Sequence, residues 1–297
     1  MYIIDFFKKL GRVSNIPVII YLVLNVVLIT FFLMLFELVW WQALLLGLGV
    51  YLLSITIALS PIGEWILRMQ TGCKEITDEN VRAELEPLFL EVYQEAREAD
   101  PSIPHNVKLY MSDDPEPNAF ATGRKTVCVT RGMMSMRPEL IKATLGHEFG
   151  HLAHKDTDLI LVVTVGNLIV SGIILFFNIC LKIGHFFMGL ISGIIGGEGG
   201  WFMAIMNAIS AFLTSLLVTG FTWLWTKLGT LLVMSSSRSN EYEADAFSHR
   251  LGYGTELCVL LDTICGASAK GLFANLASSH PGKEKRIAKL RQLGVNY

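Results

Sequence analysis

The sequence contains few charges and no C-x-x-C motif, and each absence excludes a class of protein. Charged residues make up 17% of the 297 residues, well below the roughly 25% that soluble domains carry. The formal net charge of -2 provides no strongly basic face, so we expect no nucleic-acid partner. The five cysteines are scattered and form no C-x-x-C motif, which argues against a disulfide framework and against a zinc site built from thiolates.

Apolar residues are in excess instead, and they are concentrated in long runs. Hydrophobic residues make up 52% of the chain, and the mean hydropathy is +0.49. A helix rises about 1.5 Å per residue, so about 20 apolar residues span a bilayer core of roughly 30 Å. Four runs reach that length: residues 16–36, 38–60, 159–181 and 201–226. The first is too long for a signal-peptide core and lacks a small-residue cleavage site, so we interpret it as a retained anchor.

The four runs form two pairs, and this pairing divides the chain. Residues 1–60 are expected to form a first transmembrane hairpin and residues 159–234 a second. Residues 61–158 and 235–297 are more polar, and we expect them to form one soluble domain. Residues 186–197 are apolar but too few to cross a bilayer, so we expect an interfacial or re-entrant piece beside a flexible Gly-rich loop. The sequence thus predicts a mainly α membrane protein with four transmembrane helices in two hairpins.

Local patterns predict several elements in the first soluble segment. An apolar stripe of helical period across residues 81–92 predicts a helix, and Pro87 is expected to kink it or to delay its start. Residues 107–112 and 125–130 have the composition of short strands. Pro138 fits the first position of the helix that follows. The first soluble segment is therefore expected to be an α+β structure.

The positions of lysine and arginine predict which side of the membrane the soluble domain occupies. Lys8, Lys9 and Arg12 precede the first run, and Arg68 and Lys74 follow the second. The positive-inside rule places both groups in the cytoplasm. Four spans then return the C-terminal segment to the same side. We therefore expect a multi-pass protein of the cell (inner or cytoplasmic) membrane, with the soluble domain and both termini on its cytoplasmic side.

The clearest chemical signal is the H-E-F-G-H motif of residues 147–151. Residues four apart share a face of a helix, so His147 and His151 can reach one zinc ion per chain. Glu148 lies beside them and can act as a general base toward a water that zinc activates. A metzincin would carry Gly at 154 and His at 157, whereas this chain has His154 and Thr157, which excludes that class.

A catalytic zinc site needs a third protein ligand and keeps one position open for water. Glu241 and Asp245 are four residues apart and are expected to share a face of a helix capped by Ser237 or Ser239. This geometry favours Glu241 as the third ligand and Asp245 as the carboxylate that accepts the free N–H of a ligand imidazole. Glu243 should point elsewhere. Taken alone, the segment would fit the solvated start of a charged helix.

Four motifs in order resemble the HtpX family of membrane zinc proteases, which are gluzincins related to the CAAX prenyl proteases. The first is the H-E-F-G-H motif, and the second is S-R-S-N-E-Y-E-A-D at residues 237–245, after a second membrane hairpin. The third is N-A-F-A-T-G at residues 118–123. The last is His280-Pro281 followed by Arg286-Ile287. The resemblance extends over nearly the whole chain.

This resemblance implies a gluzincin-like α+β zinc protease domain, built from residues 61–158 and 235–297, and assigns further roles. It implies that His280 or Arg286 stabilises the tetrahedral oxyanion. It implies that the substrate binds by strand addition to Asn118, Ala119, Phe120 and Ala121. The implied activity is hydrolysis of peptide bonds in misfolded or damaged membrane proteins. A CAAX-type prenyl-protein or peptide-processing protease is the nearest alternative.

Two functions of other classes remain open at this point. A zinc transporter would carry His, Asp or Glu within its spans, and residues 159–181 and 201–226 contain none. An inactive membrane scaffold has no need for Glu148, which is present. Protein or peptide substrates and the lipid bilayer are the expected partners, and the sequence leaves the oligomeric state open.

Overall fold

The structure is a computed structural model that describes residues 6–7, 10–11, 15–34, 37–195, 199–264 and 282–297. It forms two compact units, one of Met1–Gly166 with Leu232–Tyr297 and one of Asn167–Leu231. Four of the described helices are long and apolar enough to cross a membrane. Helices dominate the structure, beside one small sheet. The prediction of a mainly α protein with four membrane helices is confirmed.

The first unit begins with a pair of apolar helices, α1 (Ile16–Met34) and α2 (Trp40–Ala58), which pack against each other. The Asn25 side-chain amide donates a hydrogen bond across the pair to the Tyr51 hydroxyl at 3.3 Å. In a lipid environment such a pairing satisfies polar groups that cannot reach water. A short helix, α3 (Pro61–Gln70), follows α2 directly.

Helix α4 (Glu79–Ala99) follows α3, and its start is capped by Asp78. The Asp78 carboxylate accepts a hydrogen bond from the backbone N–H of Asn80 at 2.9 Å. The helix continues through Pro87, so the expected delay of its start is wrong. Ala83, whose carbonyl loses its helical partner at Pro87, lies on the exposed face, where water can satisfy that carbonyl.

The sheet has three strands in the order β1–β3–β2. Strand β1 (Lys108–Ser112) runs parallel to β3 (Thr126–Thr130), and β2 (Ala119–Ala121) runs antiparallel to β3. The two predicted strands are present, each one residue shorter at its start. The short strand β2 lies at an edge of the sheet, and no periodic pattern in the sequence predicts it. A 3₁₀ helix (Arg131–Ser135) then leads away from β3.

Helix α5 (Pro138–His154) carries the H-E-F-G-H motif through the centre of the first unit. It packs against α4, strand β2 and helix α8 (Gly254–Ile264). Phe149 is fully buried, with its ring 5.6 Å from that of Phe89 and 5.5 Å from that of Tyr93. Because α5 is surrounded by the core, its motif side chains have little freedom to move.

The chain ends α5 at Lys155 in the left-handed conformation (φ 58°) and begins α6 (Asp156–Ile195) at the next residue. Helix α6 continues through residues 186–195, so the expectation of a re-entrant or loop segment is wrong there. Residues 196–197 of that stretch lie outside the described residues. An apolar stretch too short to cross a bilayer alone can simply extend a helix that began earlier.

The remaining two helices are α7 (Gly200–Arg250) and α9 (Lys283–Gln292). Helix α7 runs without interruption through Ser237 and Ser239, so the predicted helix start and serine cap are wrong. Extending a formed helix through serine costs only a few tenths of a kcal/mol per residue. Residues 235–250 therefore belong to the same helix as the fourth membrane-spanning stretch.

Candidate active site

Two imidazoles from successive turns of α5 converge on one point. The Nε2 atoms of His147 and His151 lie 3.1 Å apart, and the two rings are nearly perpendicular. Both side chains project from one face because residues four apart on a helix are neighbours. His147 is buried and His151 is partly buried, so the pair lies at the edge of the protein interior.

Helix α7 brings Glu241 to the same point. One carboxylate oxygen of Glu241 lies 3.5 Å from His147 Nε2, and the other lies 3.4 Å from His151 Nε2. The three side chains each offer one ligand atom, all within 4.8 Å of one another, so they can hold a metal ion. Two imidazoles and one carboxylate fit a catalytic zinc site, in which the fourth position stays open.

Glycine in the motif allows α5 and α7 to approach closely. A Cβ at Gly150 would lie 2.8 Å from the Cα of Ala244 and 3.0 Å from the Cβ of Phe247. About two turns earlier on α5, the Ser248 hydroxyl donates a hydrogen bond to the Ala143 carbonyl at 2.9 Å. These contacts fix the distance between the helices, and hence the distance from Glu241 to the imidazoles.

Each imidazole is also held on its other nitrogen by a carboxylate. His147 Nδ1 lies 2.9 Å from Asp245, and His151 Nδ1 lies 3.0 Å from Asp156. Such partners fix the orientation of the ring and leave Nε2 free for the metal. Asp245 was singled out by its spacing from Glu241, but Asp156 was missed. The sequence feature that could have indicated Asp156 is its position as the first residue of a helix, five residues after His151.

The same contacts shift the pKa values of the histidines upward. Burial alone would lower the pKa of His147, but hydrogen bonds to Asp245 and Glu241 outweigh it. Burial likewise opposes the upward shift of the His151 pKa, which hydrogen bonds to Asp156 and Glu241 cause. Burial would raise the pKa of Asp245, yet the charge of Arg286 and its hydrogen bonds lower it to about 2. The Asp245 carboxylate therefore stays ionised beside His147.

Arg286 of α9 is buried against two of these acids. Its Nε donates to the Asp245 carboxylate at 2.8 Å, and its Nη1 lies 3.4 Å from the Glu241 carboxylate. The guanidinium thus restrains Glu241 and Asp245, the partner of His147, together. His280, the other residue proposed for oxyanion stabilisation, lies outside the described residues.

Glu148 connects α5 to the edge strand β2. Its side chain is buried, and its Oε2 accepts a hydrogen bond from the backbone N–H of Ala121 at 2.8 Å. The amide of Thr130 donates to the Asn118 carbonyl, and that of Thr122 donates to the Thr126 carbonyl, each at 2.9 Å. Because alternate residues of a strand face opposite edges, the backbone groups of Ala119 and Ala121 point away from β3.

A second cluster of charged side chains, which no sequence motif indicates, fixes the loop after β2. The Arg124 guanidinium forms a buried ion pair with Asp158, with Nε 2.6 Å from one oxygen. The Arg124 backbone N–H donates to the Glu64 carboxylate of α3 at 3.0 Å. Gly123 is left-handed (φ +74°), and a Cβ there would lie 2.4 Å from Glu64 Cγ. The loop is therefore fixed between α3 and the start of α6.

His154 and Glu243 lie apart from the three ligand atoms. The His154 Nε2 is 4.0 Å from a Glu243 oxygen. The rings of His154 and Phe247 are nearly perpendicular, with their centroids 6.2 Å apart. Glu243 is two residues from Glu241, so its side chain projects from a different side of α7.

Comparison with known proteins identifies the family. The model of Peptidase family M48 matches residues 79–294, which is most of the chain. The chain belongs to peptidase family M48. Protease HtpX of Pseudomonas syringae pv. tomato is 30% identical over 260 residues, covering 78% of this chain and 80% of the relative. Protease HtpX of Idiomarina loihiensis is 31% identical over 262 residues, with the same coverage of each.

A similarity to one solved structure is weaker. The crystal structure of S. mikatae Ste24p aligns with 97% of this chain at 17% identity and a TM-score of 0.43. The chain spans 64% of the length of that protein.

The M48 assignment confirms the resemblance to the HtpX family and establishes the class of activity. The protein is a multi-pass membrane metalloprotease that acts on peptide or protein substrates. M48 metalloproteases use zinc, and the group of His147, His151 and Glu241 is able to hold that metal.

Proposed function

We propose that the protein is a zinc-dependent endopeptidase that hydrolyses peptide bonds of misfolded or damaged membrane proteins. The single observation that carries this proposal is the placement of Glu148. Its carboxylate is hydrogen-bonded to the edge strand that would receive a substrate, and its neighbours in the motif can hold the metal. Substrate strand, general base and metal ligands thus occupy one place.

We assign the metal to His147, His151 and Glu241. Zinc bound there supplies a Lewis acid that polarises the scissile carbonyl and favours ionisation of a water molecule. Asp245 and Asp156 hold the two imidazoles in the orientation that presents Nε2. Arg286 holds Asp245 and Glu241 in turn. The oxyanion role expected for Arg286 or His280 remains part of this proposal.

Glu148 is the proposed general base and general acid. Its Oε2 is held by the Ala121 amide, which aims the carboxylate without protonating it. The carboxylate takes a proton from the attacking water and later delivers it to the leaving amine. This role needs an ionisable side chain, so the amide of glutamine cannot replace it.

The substrate is proposed to add to β2 as a further strand. The Ala119 amide and carbonyl and the Ala121 carbonyl face the open edge, whereas the Ala121 amide is used by Glu148. Main-chain hydrogen bonds bind an extended segment with little dependence on its side chains. Only unfolded or locally opened proteins offer such segments, which supports damaged proteins as the substrate class.

Cleavage of two substrates tests this assignment. An unfolded casein-type protein and a prenylated peptide with a C-terminal CAAX sequence should be compared in the same vesicles. The proposal predicts zinc-dependent cleavage of the unfolded protein and little action on the peptide. Action on the prenylated peptide alone would make the protein a CAAX-type processing enzyme.

We further propose that both termini and the soluble domain lie in the cytoplasm, as the positive-inside rule predicts. Single cysteines at positions 113, 198 and 289 of a cysteine-free variant test this orientation. An impermeant thiol reagent outside the cell should label position 198 and spare the other two. Labelling of position 289 from outside would mean an odd number of spans after His151 and would contradict the proposed domain.

A further inference from the structure

Helix α3 begins at a tight corner directly after the second membrane helix. The Ser60 hydroxyl donates to the Ile57 carbonyl at 2.7 Å and accepts from the Ile62 amide at 3.2 Å, which caps α3. A Cβ at Gly63 would lie 2.0 Å from the Ala58 carbonyl oxygen. The corner is therefore closely packed, and α3 starts directly after α2 ends.

One face of this helix is apolar and exposed. Ile62, Trp65 and Met69 have exposed fractions of 57%, 53% and 62%. Their spacing of three and four residues places them in one stripe along the helix. The opposite face is buried through Gly63 and Leu67. Helix α3 is thus amphipathic, with its apolar side turned away from the protein.

The lipid interface is the partner that fits this face. Only Leu59 and Ser60 separate α3 from α2, a helix long and apolar enough to cross the membrane. An amphipathic helix at that depth buries its apolar side at the boundary of headgroups and acyl chains, where tryptophan is favoured. A stable protein partner needs about 800 Å² on each side, far more than three side chains of a single short helix offer.

The polar side of α3 reaches the active-site region. Glu64 accepts the Arg124 amide at 3.0 Å, and Arg124 follows Ala121 by three residues. Ala121 in turn donates to Glu148. Arg124 also forms a buried ion pair with Asp158. Asp158 lies two residues after Asp156, which is the carboxylate partner of His151.

We infer that the Ile62–Trp65–Met69 face of α3 lies in the lipid interface, and that this contact holds the Ala121 amide against Glu148. Lipid contact fixes the position of α3, and Glu64 transmits that position to the loop after β2. The coupling rests on the proposed role of Glu148. The location of α3 does not depend on that role, so it is measured separately.

The location can be measured by fluorine NMR on the full chain in vesicles, with 5-fluorotryptophan at its six tryptophans. The Trp65→Phe variant assigns the Trp65 resonance, and a spin label on the lipid acyl chain near the headgroup is the probe. Trp65 should be broadened by this lipid label. A Leu90→Trp variant is the matched control, because Leu90 is 52% exposed on the soluble helix α4, and its resonance should stay sharp. A sharp Trp65 resonance, broadened only by a water-soluble reagent, would overturn the location.

The coupling can be measured with the double variant Trp65→Gln/Met69→Gln in vesicles. We expect kcat to fall about tenfold, as for loss of a partner that orients a group in the site, with KM and zinc content unchanged. Leu90→Gln should match the wild type, and Trp65→Phe should retain activity. Melting temperatures show whether each variant is folded, and kcat is expressed per zinc-loaded chain. A folded double variant with wild-type kcat would overturn the coupling and leave the proposed protease function intact.

Discussion

The backbone amide of Ala121 donates a hydrogen bond to the Glu148 carboxylate at 2.8 Å. This contact joins the edge of the sheet to the motif helix beside the proposed metal site. We therefore propose two separate tasks for alternate residues of strand β2. The Ala121 amide orients Glu148, the proposed general base, and the Ala119 amide is the donor proposed for a substrate strand.

Proline substitutions separate these two tasks. Ala121→Pro removes the donor to Glu148, whereas Ala119→Pro removes a donor from the open edge, and neither amide is used in the ladder to β3. We expect Ala121→Pro to lower kcat by about 10–100-fold and Ala119→Pro mainly to raise KM. Steady-state kinetics on an unfolded protein substrate, with thermal melts as the folding control, measure both. A folded Ala121→Pro variant with wild-type kcat would show that Ala121 does not orient Glu148.

Glu241→Ala should weaken zinc binding strongly and abolish activity, because it removes one of three ligand side chains. Glu243→Ala is the matched control, since Glu243 lies on the same helix and contacts His154 instead. Chelator competition measures zinc affinity in both variants. Normal zinc binding in Glu241→Ala together with loss in Glu243→Ala would reverse the assignment of the two acids.

Asp156→Asn and Asp245→Asn should each reduce zinc affinity or activity by about 10–100-fold, the range observed for partners of ligand histidines. Both substitutions keep the shape of the side chain and remove its charge. Asp245→Asn should have the larger effect on stability, because Asp245 also pairs with the buried Arg286. Zinc competition and melting curves distinguish the two variants. Full zinc affinity and activity in Asp156→Asn would remove Asp156 from the site.

The stability of the α3 corner should depend on pH through Glu64. Burial raises the pKa of Glu64 above 4.5, against opposing effects of the Arg124 amide and nearby cations. The folded state thus binds this proton more tightly than the unfolded state, so stability contributed by Glu64 falls as pH rises from 4.5 through the folded pKa. Glu64→Gln keeps an acceptor for the Arg124 amide and removes the ionisation. Its melting temperature relative to wild type should rise across that range, and a relative fall would contradict the assignment.

The sequence predicts correctly which side chains lie together when both members of a pair belong to the same helix. The spacing of His147 and His151, and of Glu241 and Asp245, follows from the helical period, and the structure brings all four together. Asp156 escaped because it lies beyond a left-handed residue, Lys155, where helical spacing no longer applies.

Contacts between distant segments could not be read from local pattern. Glu64 and Arg124 are 60 residues apart, and the composition of neither segment predicts their contact. Strand β2 has three residues, too few to show alternation, and only the family motif marked it. Ser237 and Ser239 favour a helix start by their local preference, but helix α7 is continuous through both residues.

The most direct test of the account compares wild type with Glu148→Gln for bound zinc per chain and for cleavage of an unfolded protein. Glutamine can still accept the Ala121 hydrogen bond, and Glu148 is not a proposed ligand, so zinc content and melting temperature should match the wild type. Cleavage should fall to nearly nothing, because the amide cannot take a proton from water. Wild-type cleavage by a zinc-loaded Glu148→Gln variant would contradict the account.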